Sequence, residues 1–426
     1  MLPEGWKSST IGEHVDLLSG FAFKSEDYIS ADNGIKLLRG DNVSQSRLRW
    51  RDVKRFPQPK AVELSKYKLQ VGDFVIAMDR TWIPAGVKVC EVVAEDLPCL
   101  LVQRVARLRA LSTIRQDLLR QYFAGHRFEQ YVQSVQTETA VPHISPTDIR
   151  DFEIALPPIS EQRRIADILS TWDQAISVQE RLVANAHAQK KALMQTLLTG
   201  KKRLPGFKGE WKMKLFKHVV SIDQDSLGQN TPPDFEFRYI SLSDVSSGSI
   251  ANNLPSHTFS EAPSRARRKL KLGDILMATV RPNLQAFARV QSAQSDCIAS
   301  TGFSVLSAKR DHSADYVYHY LFSEHITGQI DALVVGSSYP AINSTDVASL
   351  AIHCPEKTEQ DAIAQVLNVS DETVISGETK LSLLKREKSA LMQQLLTGKR
   401  RVKVEAVEPD LENQNPRLAK ERSNGN

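Results

Sequence analysis

The chain has 426 residues, enough for two to three domains that each bury a core of their own. Apolar residues make up 41% and charged residues 25%, and no run approaches the roughly 20 apolar residues of a membrane span, which argues against a membrane protein. The formal net charge of +5 is small, so any contact with nucleic acid has to come from local clusters of Arg and Lys.

Residues 1–155 are predicted to form a mixed α/β domain. Within it, Val71–Met78 begins with a Gly-Asp turn and continues as an apolar run, which is typical of a short buried strand. Arg80 and Thr81 follow this strand directly. Loops at strand ends carry many binding residues, so we expect these two side chains to reach a ligand.

Residues 156–200 are predicted to form one long helix. Pro157 and Pro158 precede it, Ser160 is a suitable N-cap, and Gly200 suits the position just past its end. Apolar residues recur along it at steps of three and four, which predicts a heptad-like seam for a partner helix. That seam includes Ile165, Trp172 and Leu193.

The second half of the sequence repeats the first. Ala192–Arg203 returns as Ala390–Arg401 with ten of twelve positions identical, at an offset of 198 residues. The strand motif returns as Leu272–Thr279 and is followed by Arg281 and Asn283. A repeat of this length indicates a duplicated pair of domain and helix.

We therefore predict a second mixed domain over residues 201–355 and a second long helix over residues 356–400. Ser370 and Gly377 interrupt the seam of the second helix, so we expect a bend or a break there. Residues 401–426 are polar and are predicted to form a disordered tail.

Connectivity predicts the direction of the helices. The first helix runs from the first domain to the second, so in a symmetric arrangement the second helix has to run back. We predict an α+β fold with two pseudo-two-fold related mixed α/β domains, separated by two long antiparallel, coiled-coil-like helices. Such a spacer would span roughly 58 Å at about 1.5 Å per residue. The alternative is that each helix packs only on its own domain.

Motifs of catalysis are missing from the sequence. It has no GxxxxGK[ST] loop, no GxGxxG loop and no GxSxG elbow. The four cysteines, Cys90, Cys99, Cys297 and Cys354, form no CxxC pair and are interpreted as reduced packing residues of a cytoplasmic protein without a metal site. Two diverged domains on a rigid spacer suit a different task, the reading of two separated half-sites on duplex DNA.

Several segments together resemble a known family. Pro157–Ile165, its partial copy Pro355–Ile363 and the Leu-Leu-Thr-Gly-Lys ends of both helices resemble the specificity subunit of Type I restriction-modification systems. Gly72–Ile83 looks like the core of one class of that family's target recognition domains, and Gly273–Leu284 looks like another. The resemblance covers nearly all of the chain except the last 25 residues.

The resemblance implies a chain without catalysis of its own. Such a subunit binds double-stranded DNA at a split target and brings two methylation subunits and two restriction subunits, which are ATP-dependent translocases and nucleases, to it. Any S-adenosylmethionine, ATP and Mg²⁺ would be used by those partners, and the chain itself would hold no cofactor. The helices would set the gap between the half-sites and dock the partners, through Glu161, Gln162, Ile165, Trp172, Leu193, Glu359, Gln360, Ile363 and Leu391.

Individual DNA contacts are predicted from their placement in both halves. Bases would be contacted by Arg80, Thr81, Arg281 and Asn283, and phosphates by Arg47, Arg49, Arg267 and Arg268. A surface ion pair is the ordinary alternative for any one of these arginines. Two other functions stay open: a stand-alone DNA-modifying enzyme, which the missing cofactor loop argues against, and a coiled-coil scaffold that does not bind DNA.

Overall fold

The computed structural model describes residues 2–29, 32–45, 47–84, 86–334 and 340–403. Backbone contacts group the chain into two compact units, one of residues 1–178 and 381–426 and the other of residues 179–380. Each unit contains one mixed domain and one half of each long helix. Most of the tail predicted over residues 401–426 lies outside the described residues.

In the part of the first domain that the structure describes, the chain forms short strands and three short helices. The strands β1 to β13 are Lys7–Thr10, Val15–Ser19, Ile35–Leu38, Val43–Ser44, Arg47–Leu48, Arg55–Phe56, Phe74–Ala77, Trp82–Ile83, Gly86–Val87, Val89–Glu91, Cys99–Leu101, Val105–Ala110 and Glu153–Leu156. The helices α1 to α3 are Gln116–Phe123, His126–Val135 and Pro146–Arg150.

Strand β7 lies inside the main sheet of the first domain, whose strand order is β10-β7-β12-β2. All four β7 residues are buried, as a continuous apolar run predicts. The predicted Gly-Asp turn precedes the strand: Gly72 has a φ of 85°, and the Asp73 carboxylate accepts the Gln70 backbone N–H at 2.8 Å. The turn and the buried strand therefore determine the position at which the chain leaves the sheet, after Ala77.

The first long helix, α4, extends from Ile159 to Leu197 and contains 39 residues. The second domain follows it. Its strands β14 to β25 are Lys212–Leu215, Val220–Ile222, Glu236–Ile240, Val245–Ser246, Ser249–Ile250, Ser256–Thr258, Ala266–Lys269, Ile275–Ala278, Phe287–Arg289, Ile298–Ser300, Phe303–Ala308 and Ala351–Cys354. Its helices α5 to α8 are Phe216–Val219, Ala314–Leu321, Glu324–Leu333 and Ser344–Ser349.

The main sheet of the second domain repeats the plan of the first. Its strand order is β15-β24-β21-β22, and β21 is again buried at all four residues. The turn before β21 has Gly273 at a φ of 87°, and the Asp274 carboxylate accepts the Lys271 backbone N–H at 2.8 Å. The same turn and strand thus recur in both domains.

The second long helix, α9, extends from Lys357 to Leu395 and also contains 39 residues. In the first unit, Lys388 of α9 donates to the Asp173 carboxylate of α4 at 2.6 Å. In the second unit, Lys190 of α4 lies 2.5 Å from the Asp371 carboxylate of α9. Residue numbers fall along one helix as they rise along the other, so the helices are antiparallel and the predicted fold class is confirmed.

Each domain core includes residues of both long helices. The first core joins the start of α4 to the end of α9 through Ile165, Ala166, Leu169, Met392, Leu395 and Leu396. The second core joins the end of α4 to the start of α9 through Leu197, Leu198, Ile363, Ala364 and Leu367. The helices therefore pack on the domains as well as on each other, and burial of these apolar side chains stabilises both kinds of contact.

The break expected at Ser370 and Gly377 is wrong, because α9 is one continuous helix from Lys357 to Leu395. Gly377 is instead a point of close helix approach. Its carbonyl accepts a hydrogen bond from Gln179 Nε2 at 3.0 Å, and a Cβ atom there would lie 3.1 Å from Val183 Cγ2. A glycine on the seam thus serves packing between the helices.

We predict that Gly377→Ala does not give the gain of about 1 kcal/mol that replacing glycine by alanine gives inside an ordinary helix. Gly377→Leu should lower the melting temperature, because the larger side chain pushes Val183 and Gln179 away. Gly328→Ala is the matched control, since Gly328 lies inside a helix with no atom within 4 Å of its added Cβ, and it should raise the melting temperature. A Gly377→Leu variant as stable as the wild type would contradict the close approach.

Candidate functional site

Each domain places an exposed arginine just beyond its buried central strand. Arg80 follows β7, has a φ of 46°, and its backbone N–H donates to the Pro142 carbonyl at 2.6 Å. Arg281 follows β21, has a φ of 50°, and its backbone N–H donates to the Pro340 carbonyl at 2.7 Å. The left-handed conformation costs a residue other than glycine about 1–3 kcal/mol, so it persists only where the surroundings hold it. Both domains therefore present this arginine from a fixed backbone.

The residues beside these arginines differ in exposure. Thr81 is only 1% exposed, and its hydroxyl donates to the Ala77 carbonyl at 2.7 Å. In this structure its side chain faces the interior and holds the turn that carries Arg80. Asn283 is exposed and lies on a 3-10 turn, Pro282–Leu284, close to Arg281. The surface beyond β21 therefore includes Asn283, whereas the Thr81 hydroxyl is not part of the surface beyond β7.

The basic residues of the first domain lie on its surface. Arg47 belongs to the short strand β5, which pairs with β4, and its side chain is exposed. Arg49 is also exposed, and its backbone N–H donates to the Asn42 carbonyl at 2.7 Å. Exposed guanidinium groups two residues apart in the sequence are suited to phosphate oxygens.

The basic residues of the second domain are engaged within the domain. The Arg268 guanidinium lies 3.0 Å from the Asp223 carboxylate, whose side chain is 8% exposed. The Arg267 guanidinium stacks on the Phe259 ring, 4.7 Å from its centroid. Both side chains are half-buried, so they are less available to a partner than Arg47 and Arg49.

A buried glutamate stands at the start of each long helix. Glu161 is 3% exposed, accepts a hydrogen bond from Trp6 Nε1 at 3.3 Å and forms an ion pair with Arg401. This hydrogen-bonded pairing raises the pKa of the Arg401 guanidinium. It joins the first residues of the first domain, the start of α4 and the segment just past α9.

The second unit repeats this arrangement. Glu359 is 1% exposed and accepts hydrogen bonds from Trp211 Nε1 at 3.2 Å and from Arg203 Nε at 2.9 Å. The hydrogen bond to Glu359 raises the pKa of Arg203. Each carboxylate is thus paired by the arginine that follows the other helix, as a buried charge requires.

The neighbouring glutamines fasten each helix start to its own domain. Gln162 accepts the Arg115 backbone N–H at 3.0 Å and donates to the Pro157 carbonyl at 3.0 Å. Gln360 accepts the Ser313 backbone N–H at 3.0 Å and donates to the Pro355 carbonyl at 2.8 Å. Backbone groups of their own unit therefore engage both glutamine side chains.

The residues predicted to dock other subunits divide into two groups by burial. Six are buried inside their own unit and hold the helices on the domains: Glu161, Gln162, Ile165, Glu359, Gln360 and Ile363. Three are half-buried and present part of their side chains at the helix surface: Trp172, Leu193 and Leu391.

A polar junction that sequence reasoning missed joins each domain to both helices. In the first unit, Asp173 binds Lys388 of the other helix at 2.6 Å and the fully buried Gln121 of its domain at 2.8 Å. The repeat offset of 198 residues relates Asp173 to Asp371 and Lys388 to Lys190, so it could have revealed both pairs.

The junction in the second unit has a histidine where the first has Gln121. His319 is fully buried, its Nε2 lies 2.8 Å from Asn368 Oδ1, and its Nδ1 lies 3.9 Å from the Asp371 carboxylate. Desolvation lowers the pKa of His319 below its ordinary value of 6.5, so the folded protein holds this ring neutral.

The described residues contain no group of three or more His, Cys, Asp or Glu side chains that could hold a metal ion. No helix among them is long and apolar enough to cross a membrane.

A family model described as the Type I restriction modification DNA specificity domain matches residues 3–185 and 247–386. The specificity subunit of the Type I restriction enzyme EcoAI of Escherichia coli is 34% identical over 182 residues, 42% of this chain and 30% of the relative. The MjaVIII specificity subunit of Methanocaldococcus jannaschii is 29% identical over 48% of each chain. These two alignments span less than half of the relatives' lengths.

Other similarities extend over most of the chain. The putative MjaX specificity subunit of Methanocaldococcus jannaschii is 24% identical over 94% of this chain and 95% of its own. The crystal structure of a Type I restriction-modification S subunit from M. genitalium has a TM-score of 0.58 and 12% identity, with 92% and 96% of the two chains covered. A chain from a study of complex assembly in the type I R-M system has a TM-score of 0.54 and 17% identity, with 94% and 100% covered. At such identities these two structures show a shared fold.

We predict that Arg203→Ala and Arg401→Ala each lower the melting temperature by several degrees, because each leaves a buried glutamate without its cation. Lys201→Ala is the matched control: it removes an exposed cation from the same basic segment as Arg203 and should leave the melting temperature unchanged. Differential scanning calorimetry measures both effects. Equal melting temperatures for Arg203→Ala and Lys201→Ala would contradict the claim that pairing of the buried Glu359 by Arg203 stabilises the protein.

We also predict a pH dependence of stability from His319. Its pKa is lower in the folded protein than in the unfolded chain, so the unfolded chain binds more protons as the pH falls below about 6.5 and stability is lost there. His319→Gln, which places the first domain's residue in the second, should reduce the loss of melting temperature between pH 7.5 and pH 5.5. An identical loss in both proteins would show that other groups cause it.

Proposed function

The chain belongs to the family defined by the Type I restriction modification DNA specificity domain, and we propose that it reads a bipartite DNA target with one half-site per domain. The recurrence of an exposed arginine at the same strand end, Arg80 in one domain and Arg281 in the other, supports this most strongly. Arginine recognises guanine by two hydrogen bonds in the major groove. Different neighbours around the same arginine suit two different half-sites.

The surroundings of the two arginines differ in the way that this proposal requires. Arg80 is followed by the buried Thr81 and by a short β hairpin, Trp82–Ile83 with Gly86–Val87. Arg281 is followed by the 3-10 turn Pro282–Leu284, which exposes Asn283. Asparagine recognises adenine by the same kind of paired hydrogen bonds, so Asn283 is proposed as a second base contact.

Phosphate contacts are proposed for the basic residues of both domains. Arg47 and Arg49 are exposed and need no rearrangement. Arg267 would bind a phosphate while its guanidinium stays stacked on the Phe259 ring. Arg268 would have to break its ion pair with Asp223 before it could bind a phosphate. Such contacts set register and affinity and carry no sequence information.

We further propose that the helices set the gap between the half-sites and dock two methylation subunits, with two restriction subunits completing the complex. The recurrence of the same helix contacts in both units suits two copies of one partner. The half-buried Trp172, Leu193 and Leu391 are the proposed contact residues. S-adenosylmethionine, ATP and Mg²⁺ would be bound by the partners, and this chain would act in the cytoplasm without catalysis of its own.

We predict that Arg80→Ala changes the base preference in one half-site and Arg281→Ala changes it in the other. Each variant should lose about 1–3 kcal/mol of discrimination at one base pair. Selection of bound duplexes from a pool randomised in both half-sites, with the full chain purified together with its methylation partners, measures this. Arg47→Ala is the control: as a phosphate contact it should weaken binding to all duplexes alike and lower the salt slope by about one.

Two results would contradict the proposal. The wild-type complex could show no sequence preference in the selection, which would remove DNA reading altogether. Alternatively, one arginine variant could alter both half-sites, which would mean that the domains do not read separately.

A further inference from the structure

A leucine projects from the second domain beside the proposed base contact Asn283. Leu284 is 65% exposed and ends the 3-10 turn that begins after Arg281. Single exposed leucines are common on proteins. What sets Leu284 apart is the rigidity of the backbone that holds it outward.

The Leu284 turn is fixed at both ends. Arg281 and Gln285, which flank it, have φ angles of 50° and 51°, a left-handed conformation that residues other than glycine keep only where their surroundings hold it. The Leu284 backbone N–H donates to the Arg281 carbonyl at 3.0 Å, and the Gln285 backbone N–H donates to the Pro282 carbonyl at 2.9 Å. The left-handed residues Arg281 and Gln285, together with these two hydrogen bonds, therefore hold the turn Pro282–Leu284 in one conformation.

The turn is also tied to the body of the domain. Pro282 is buried beneath it, and Gln285 Nε2 donates to Thr327 Oγ1 of α7 at 3.2 Å. A flexible loop would let Leu284 fold back and remove its side chain from water, which is favourable for an apolar side chain. The fixed turn prevents this and keeps an apolar side chain in contact with solvent.

The residue at the equivalent position of the first domain does not project in this way. The repeat offset of 201 residues places Ile83 opposite Leu284, and Ile83 is half-buried in the β8–β9 hairpin. Its neighbour Trp82 is half-buried and held by a hydrogen bond from Nε1 to the Glu129 carboxylate at 2.8 Å. The projecting leucine is therefore a feature in which the two domains differ, and differences between the domains are where different bases would be read.

We propose that Leu284 contacts the 5-methyl group of a thymine in the half-site read by the second domain, an inference that rests on the proposed function. Arginine, asparagine and an apolar side chain recognise guanine, adenine and the thymine methyl group respectively in the major groove. Arg281, Asn283 and Leu284 present these three chemistries within four residues of one fixed turn. Of these three side chains, that of Leu284 has the apolar chemistry that suits the thymine methyl group.

The test is a double-mutant cycle in which the Leu284 side chain and the thymine methyl group are removed separately and together. The full chain, purified with its methylation partners, binds duplexes of its selected target in which each thymine is replaced in turn by deoxyuridine. At one position of one half-site, the wild-type complex should bind the deoxyuridine duplex about fourfold more weakly, the worth of one buried methyl group. With Leu284→Ala the two duplexes should bind equally, and with Leu284→Met the preference for thymine should be retained.

Leu272→Ala is the matched control. Leu272 is 69% exposed in the same domain but precedes β21, whereas Leu284 follows it, so the two leucines lie towards opposite ends of the strand. Leu272→Ala should keep the wild-type preference for thymine at every position. Because both side chains are exposed, neither substitution disturbs the core.

The outcomes separate this inference from the proposed function. A wild-type complex without sequence preference would overturn the proposed function and the inference with it. A wild-type complex that selects its target while Leu284→Ala keeps the same thymine preference at every position would overturn the inference alone. A loss of that preference in Leu272→Ala as well would also overturn it, because the effect would then not be local to the turn.

Discussion

A buried carboxylate at the start of each long helix is the constraint on which much of this structure depends. Glu161 and Glu359 are almost completely removed from water, and an ionised group in that position has to be paired and hydrogen-bonded. The partners come from distant parts of the chain: a tryptophan from the beginning of the domain and an arginine from beyond the other helix. The glutamate therefore determines which helix end belongs beside which domain.

The rest of each unit builds outward from that contact. In the first unit, Gln162 binds the domain backbone. Asp173, twelve residues after Glu161, binds Lys388 of the other helix and the buried Gln121 of the domain. These positions repeat at an offset of 198 residues with the same chemistry, except that Gln121 corresponds to His319. The turn and the four-residue strand of each domain also repeat, whereas the loops beyond the strands do not. A constant scaffold with differing loops is the arrangement that separate reading of two half-sites requires.

The sequence alone predicted the parts of the fold that depend on periodicity and repetition. Both long helices, their antiparallel direction and the buried strands follow from spacing and from the duplicated segments. The pairing of side chains does not follow from spacing. Glu161 and Gln162 are polar residues at a helix start, which usually face water, so their burial depends on the tryptophan and the backbone groups that only the folded domain supplies.

The surroundings of other side chains show the same limit. Glycine has a low helix propensity, but at Gly377 the close approach of a second helix outweighs that preference. Arg268 belongs to a basic cluster in the sequence, but the structure places the buried Asp223 beside it. Thr81 follows a strand as a surface residue would, yet its hydroxyl binds back to that strand. Local patterns predict where the chain turns, and the tertiary contacts decide which way each side chain faces.

The most direct test of the central claim is a genome-wide map of adenine methylation in the host, with and without the gene for this chain. We expect removal of the gene to abolish methylation at one split motif, two short half-sites around a fixed number of unspecified bases, and to leave other motifs unchanged. A map that contains such a motif and keeps it after the gene is removed, or one in which the lost motif is a single continuous sequence, would contradict the reading of two half-sites by this chain.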